Sequence, residues 1–206
     1  MKLTILGATG ATGRELTRQA LERGHDVTAV ARRPERIDVP DSDRLTRVQA
    51  DVLDAETISR ALKGAGVILS GLGIADKEAP GVLTAGARAA VESGADHVVW
   101  LAAFGTGDSA RRAGALTRGL LSTFMKSEMG DRVTADATVL GFGGTVFHAG
   151  PMSDGPLRPT RRTVPLDKAP RRVFPARISR ATVAAAMLDE AESPRHRGHI
   201  AIPLER

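Results

Sequence analysis

Apolar positions along the chain switch between a period of two and a period near four, and the switches alternate. Residues 3–6 form a short extended apolar segment, residues 7–13 are glycine-rich, and Leu16, Ala20 and Leu21 then recur on one helix face. Gly24 is placed to end that helix, and Val27 to Val30 is a second strand, so the first thirty or so residues read as one strand–helix–strand unit. The unit repeats. Leu45 to Ala50 reads as a strand, Asp54 can cap a helix through Leu62, and Gly66 to Ser70 reads as a fourth strand. Pro80 opens a helix to Glu92, and Val98 to Ala102 is a fifth strand. A helix is expected around Leu116 to Met125 and a strand at Thr145 to His148, followed by an irregular stretch rich in proline and arginine. Ser179 then starts a helix to Glu190, and His199 to Ile202 is the last strand. Alternation of this kind predicts an α/β fold, a doubly wound parallel sheet flanked by helices, in a single domain spanning residues 1–206.

The glycine-rich segment follows the first strand directly and opens the first helix. Small residues from Gly7 through Ala8, Thr9, Gly10, Ala11 and Thr12 to Gly13 let backbone N–H groups and a helix N-terminus approach a pyrophosphate. The bland alternative is a tight turn with no ligand. The second strand ends in Arg32 and Arg33, with Arg32 at about the twenty-residue separation from the turn at which a side chain reads the adenosine ribose. An acid there would hold a 2′-hydroxyl, whereas arginine accepts a 2′-phosphate, so NADP(H) is expected rather than NAD(H). Both arginines could equally be solvated loop residues.

The G-x-x-G-x-x-G spacing departs from the commoner dinucleotide fingerprint, and it resembles the atypical branch of the short-chain dehydrogenase/reductase superfamily with its GATGxxG turn. The Rossmann-like fold is what that resemblance implies. It extends to Asp51-Val52-Leu53-Asp54, similar to the D-V-x-D segment that edges the adenine in this superfamily, although Asp54 is better explained as a helix cap. It also covers Ser70-Gly71-Leu72-Gly73, where the family's chain runs along the cofactor. Further on, the segments from Leu83 to Val91, His97 to Ser109, Phe147 to Pro156 and Ile178 to Ala184 resemble the NAD(P)H-binding group that contains the biliverdin-IXβ and flavin reductases. The hydride is expected to leave the nicotinamide near Ala103, Phe104 and His148, with Ala102, Ala103 and Phe104 among the cofactor contacts and the acceptor-facing part in roughly 104–180.

The departures narrow the chemistry. Many relatives carry serine where Ala102 and Ala103 stand, and a stretch often reading Arg-Pro-Gly is His148-Ala149-Gly150 here. The group's histidine just beyond it falls at Pro151. The chain has no tyrosine, so the Tyr-x-x-x-Lys acid of ordinary short-chain dehydrogenases cannot exist. Hydride transfer to a flavin, quinone, tetrapyrrole or enone remains open, because a conjugated acceptor spreads the arriving charge. His148 is the candidate acid and Lys126 a candidate for orienting an anionic acceptor, each against a plain packed or solvated reading. Phe104 and Met152 could stack on a flat ligand or simply fill the core.

Composition and charge trim the alternatives. With no cysteine there are no disulfides, thiolate nucleophiles or zinc–cysteine sites, and a cytoplasmic location is expected. No apolar run approaches the ~18 residues of a membrane span. The net charge of +5 is local: residues 1–150 balance, while 151–180 hold an excess of arginine. That patch carries few aromatics, which disfavours nucleic acid and suits a rim attracting an anionic small molecule. A G-x-S-x-G elbow and a phosphate-binding G-x-x-x-x-G-K-[ST] loop are both missing, and His196 and His199 lack carboxylate companions on a helix, so no metal is expected. The leading expectation is an NADPH-dependent reductase of a small planar acceptor, monomeric or homodimeric. A cofactor-sensing regulator and a dehydratase or isomerase on the same fold are the alternatives.

Overall fold

The computed structural model describes residues 1–74, 80–110, 128–170 and 176–205. The expected helix around 116–125 and Lys126 lie outside them. Ten strands are described: β1 (Lys2–Leu6), β2 (Asp26–Ala31), β3 (Leu45–Gln49), β4 (Val67–Ser70), β5 (His97–Ala103), β6 (Thr145–Ala149), β7 (Met152–Ser153), β8 (Arg162–Pro165), β9 (Ile178–Ser179) and β10 (Ile200–Leu204). The helices are α1 (Ala11–Glu22), α2 (Ala55–Leu62), α3 (Val82–Glu92), the short α4 (Gly107–Ala110), α5 (Met129–Gly141) and α6 (Arg180–Glu192). Eight strands make one sheet in the order β3-β2-β1-β4-β5-β6-β10-β8. Every pairing in it is parallel except β10 with β8. The molecule is therefore a single Rossmann-like α/β domain.

The period of two in each strand sorts the two faces. Leu3, Ile5, Val27, Ala29, Leu69, Val99, Leu101 and Phe147 face one cluster with Leu16 and Ala20 of α1 and Val183, Ala184 and Met187 of α6. Leu6, Val30, Ile68, Val98, Trp100 and Val146 face the other, against Ile58, Leu83, Ala87, Ala135 and Val139 from α2, α3 and α5. α6 is buried on almost every side, and its small alanines let it lie close on both α1 and the sheet.

Local signals placed several boundaries correctly. Asp54 caps α2 by accepting from the N–H groups of Glu56 and Thr57, and Ser179 caps α6 by accepting from Thr182 N–H. Gly24 follows α1 with φ +79°. Besides the short α4, four elements went unforeseen. α5 has a weak apolar stripe, β8 lies inside the stretch expected to be irregular, and β7 and β9 form a separate two-residue ladder. β8 is an edge strand ending in Pro165, a position at which sheets tolerate proline.

Candidate functional site

β1 leads from Leu6 straight into Gly7, whose φ of +72° turns the chain across the sheet's carboxyl edge. Gly10 N–H donates to Gly7 C=O at 2.9 Å and tightens the turn. Gly13 and Gly71 serve close approach between elements. A Cβ on Gly13 would stand 2.1 Å from the Gly7 carbonyl oxygen, and one on Gly71 would stand 3.0 Å from Gly13 N. Ala8 is fully buried. Gly7 and Thr9 to Thr12 border a cleft, while Ala8 and Gly13 do not. α1 has no side-chain cap and no acid in its first turn, so nothing in its own sequence competes for an anion there.

The cleft has a volume of about 380 Å³ and opens where the chain leaves β1 and β4, the point at which strand order reverses. Its walls include Arg32 after β2, Asp51 and Val52 after β3, Gly71 to Ile74 after β4, and Leu101 within β5. Asp51 is tied locally, its Oδ1 accepting from Leu53 N–H at 3.0 Å. Beside Arg32 a second hollow is bordered by Thr9, Arg14, Arg32, Arg33 and Arg36. Four arginines thus border this hollow, of which only Arg32 also borders the cleft.

The opposite end is built differently. Met152 and Arg180 border the cleft because the β7–β9 ladder sets residues 152–153 beside 178–179. Thr12 Oγ1 lies 3.9 Å from Met152 Sδ across the mouth. Ala102, Ala103 and Phe104 do not border the cleft, and Phe104 instead lines a small apolar hollow with Gly150, Ala169 and Pro203.

His148 is fully buried under the loop that follows β5. Its Nδ1 is 2.6 Å from Ser109 Oγ and its Nε2 is 3.1 Å from Asp136 Oδ2 on α5. Ser109 Oγ also accepts from Gly105 N–H at 2.8 Å, and Thr106 Oγ1 donates to Ala103 C=O at 2.9 Å. The cluster ties the 103–110 loop to β6 and α5. His148 does not border the cleft, and Ser109 and Asp136, its partners, carried no motif that sequence reasoning could have joined to it.

At the other end of the same strands lies a second buried polar cluster. His97 Nε2 is 3.3 Å from Thr145 Oγ1, and Thr145 donates to Glu190 Oε1 at 3.0 Å. His196 Nδ1 is 2.9 Å from Glu190 Oε2. His97 Nδ1 has no hydrogen-bond partner, and burial, with Arg197 adding to it, pushes the imidazole down to about 4.

A glycine turn against a helix start, at the carboxyl edge of a parallel sheet, defines a protein that holds a nucleotide. The chain belongs to the NAD(P)H-binding family, whose sequence model matches residues 7–194. An anaerobillin reductase of Escherichia coli, ChuY, has a similar structure with a TM-score of 0.78 at 18% identity, covering 100% of this chain and 97% of that one. A wide-type short-chain dehydrogenase/reductase of Veillonella parvula in complex with NADP is similar at a TM-score of 0.78 and 18% identity, covering 99% of this chain and 94% of that one. These likenesses establish the fold. An uncharacterized protein of Mycobacterium tuberculosis is 38% identical over 70 residues, a stretch that is 33% of this chain and 8% of that protein's length. Among the described residues, no helix is long and apolar enough to cross a membrane.

Proposed function

We propose that the protein is an NADPH-dependent reductase that passes hydride to a small planar conjugated acceptor. The observation that carries this reading is the cleft at the β1–β4 edge, which shares Thr9 and Arg32 with a hollow bordered by four arginines. Small residues and an uncapped helix start fit a diphosphate, and the arginines fit a 2′-phosphate, with Arg32 and Arg33 as its readers. Asp51, Val52 and Gly71 to Gly73 would flank the adenosine and its ribose. When bound, a reduced nicotinamide supplies the hydride.

In this reading residues 104–180 face the acceptor, whose class is flavin, quinone, tetrapyrrole or enone. The similarity to an anaerobillin reductase fits a tetrapyrrole-like shape. With no tyrosine in the chain, His148 is the proton donor and Lys126 orients an acidic group on the acceptor. Because His148 is enclosed by Ser109 and Asp136, its use as an acid requires the 103–110 loop to open when the acceptor arrives.

The same enclosure favours a second reading, a regulator that binds the cofactor and leaves it unchanged. Absorbance at 340 nm, followed with NADPH and NADH against a panel of flavins, quinones, enones and a linear tetrapyrrole, separates the two. Oxidation of NADPH in preference to NADH with any acceptor is expected. Micromolar NADPH binding with no oxidation across the panel selects the regulator, and calorimetry without heat for either nucleotide removes both.

A further inference from the structure

Arg180 is the first residue of α6, and its side chain separates two depressions. One is the nucleotide cleft, which it borders with Thr9 to Thr12 and Met152. The other is a polar groove along the outer side of α1 that shares Ala11 with the cleft. The backbone beneath Arg180 is firmly held. Ser179 Oγ donates to Pro156 C=O at 2.9 Å, Ser179 N–H donates to Glu205 Oε1 at 2.9 Å, and Met152 pairs with Ile178 in the short ladder. The guanidinium is held loosely by comparison: Nη1 meets Asp154 Oδ1 at 2.6 Å, and Asp154 is 87% exposed.

The groove's other charges are already matched. Arg18 pairs with Glu15 at 2.6 Å, and Arg14 pairs with Asp38 at 3.4 Å. Asp154 is thus the carboxylate that the structure sets against Arg180. The carboxylate of this pair is open to water while the Arg180 side chain is only 26% exposed, so the cation can exchange an exposed partner for a better-placed anion, and the first turn of α1, with no acid and no side-chain cap, is where that anion would sit.

We infer that Arg180 is an anion-capturing arm of the cleft, released by Asp154 to close on a phosphate or carboxylate held beside residues 9–12. This rests on the reductase reading. Two sources supply that chemistry: the diphosphate common to NADPH and NADH, or an acidic group on the acceptor. Arg180 and Asp154 then act with opposite sign. Removing the cation weakens the bound anion, whereas removing its competitor strengthens it.

The test uses the full chain with Arg180→Gln and Asp154→Asn, both at positions reached by solvent, and thermal unfolding to verify that each folds. Dissociation constants for NADPH and NADH are measured by calorimetry. Binding of FMN and of riboflavin, which differ by one phosphate, is measured by flavin fluorescence in the presence of NADP. If the diphosphate is the partner, Arg180→Gln weakens both nucleotides about fivefold to tenfold and equally, and Asp154→Asn tightens them about twofold. If the acceptor supplies the anion, nucleotide affinity holds, the FMN-to-riboflavin affinity ratio falls about fivefold in Arg180→Gln, and it rises in Asp154→Asn. Either effect shrinks at high salt. Normal nucleotide binding by the unmodified protein, with both variants unchanged toward all four ligands or shifted in the same direction, overturns the role of Arg180. Failure of the unmodified protein to bind any nucleotide overturns the reductase reading and this inference with it.

Discussion

The two ends of the cleft are made by opposite strategies. At the glycine-turn end the surface is mostly backbone: Gly7, Gly10, Gly13 and Gly71 interlock β1, α1 and β4 through contacts that are nearly all with main-chain atoms. At the Met152–Arg180 end the surface is made of side chains carried on a two-residue ladder and on loops, and the polar groups nearby are busy with one another. The first arrangement is intolerant of change. The second can vary while the sheet beneath it stays the same, so on the proposed reading the choice of acceptor would lie there.

The largest effect is expected from attacking the interlocked end. Gly13→Ala puts a methyl group 2.1 Å from the Gly7 carbonyl oxygen, a backbone atom that cannot rotate aside. Overpacking of this severity should lower stability by ~3 kcal/mol or more and abolish nucleotide binding. Urea unfolding with a parallel NADPH titration measures both. Wild-type stability in that variant would mean that α1 is free to move relative to β1, and the contrast between the ends would collapse.

Next comes the enclosed cluster of the acceptor end. His148→Leu leaves the Asp136 carboxylate buried without its imidazole partner, which costs on the order of 3 kcal/mol, whereas His148→Gln keeps a donor and should cost less. Because His148, Ser109 and Asp136 all stand back from the cleft, NADPH affinity should stay within about threefold in the Gln variant. A large loss of nucleotide binding there would show that the two ends are coupled.

How much of this could be read from residues alone follows the same division. The interlocked end is local in sequence: a strand, a turn with its spacing and a helix start are contiguous, so the turn could be located in advance, and Gly7, Thr9 to Thr12 and Arg32 do border the cleft whereas Ala8 and Gly13 do not. Even there, the reason for Gly13 was hidden, since its neighbours are its own turn and Gly71, which the topology of β1 beside β4 brings in. The acceptor end is assembled from distant pieces. Met152 and Arg180 reach the same cleft through a ladder, pairing Met152 with Ile178, too short to leave a periodic pattern, and His148 meets Ser109 and Asp136 across 39 and 12 residues with no motif joining them. Likewise α5, which supplies Asp136, has little amphipathic contrast for a periodicity reading to detect.

His97 sharpens the comparison by pH. It starts β5, at the edge of the sheet remote from the cleft, and burial holds it neutral down to about 4, against an ordinary value of 6.5. As pH falls below 6.5 the unfolded chain takes up a proton that the folded chain refuses, so stability declines between pH 6.5 and 4 and this histidine has no effect above that window. The loss should amount to roughly 2–3 kcal/mol by pH 4, and His97→Gln should remove that part of the slope. Urea midpoints at pH 7.5, 5.5 and 4.5 for both proteins report the difference, while nucleotide affinity at pH 7.5 should not change. Equal slopes would mean that the site admits the charged imidazole, with Glu190 as its partner.

The smallest effect expected is also the most specific. Arg32 borders both the cleft and the arginine hollow, and on the proposed reading it would meet what a nucleotide presents on its adenosine ribose. A charge-assisted contact to a 2′-phosphate is worth about 2 kcal/mol, or about thirtyfold in affinity. Arg32→Asp should therefore weaken NADPH about thirtyfold or more yet leave NADH within about threefold, because an aspartate can accept from the free 2′-hydroxyl. Arg33→Ala, one residue further from the cleft, should cost NADPH less than fivefold. Equal weakening of both nucleotides by Arg32→Asp would assign Arg32 to holding the β2 exit in place and return the cofactor choice to Arg14, Arg33 and Arg36.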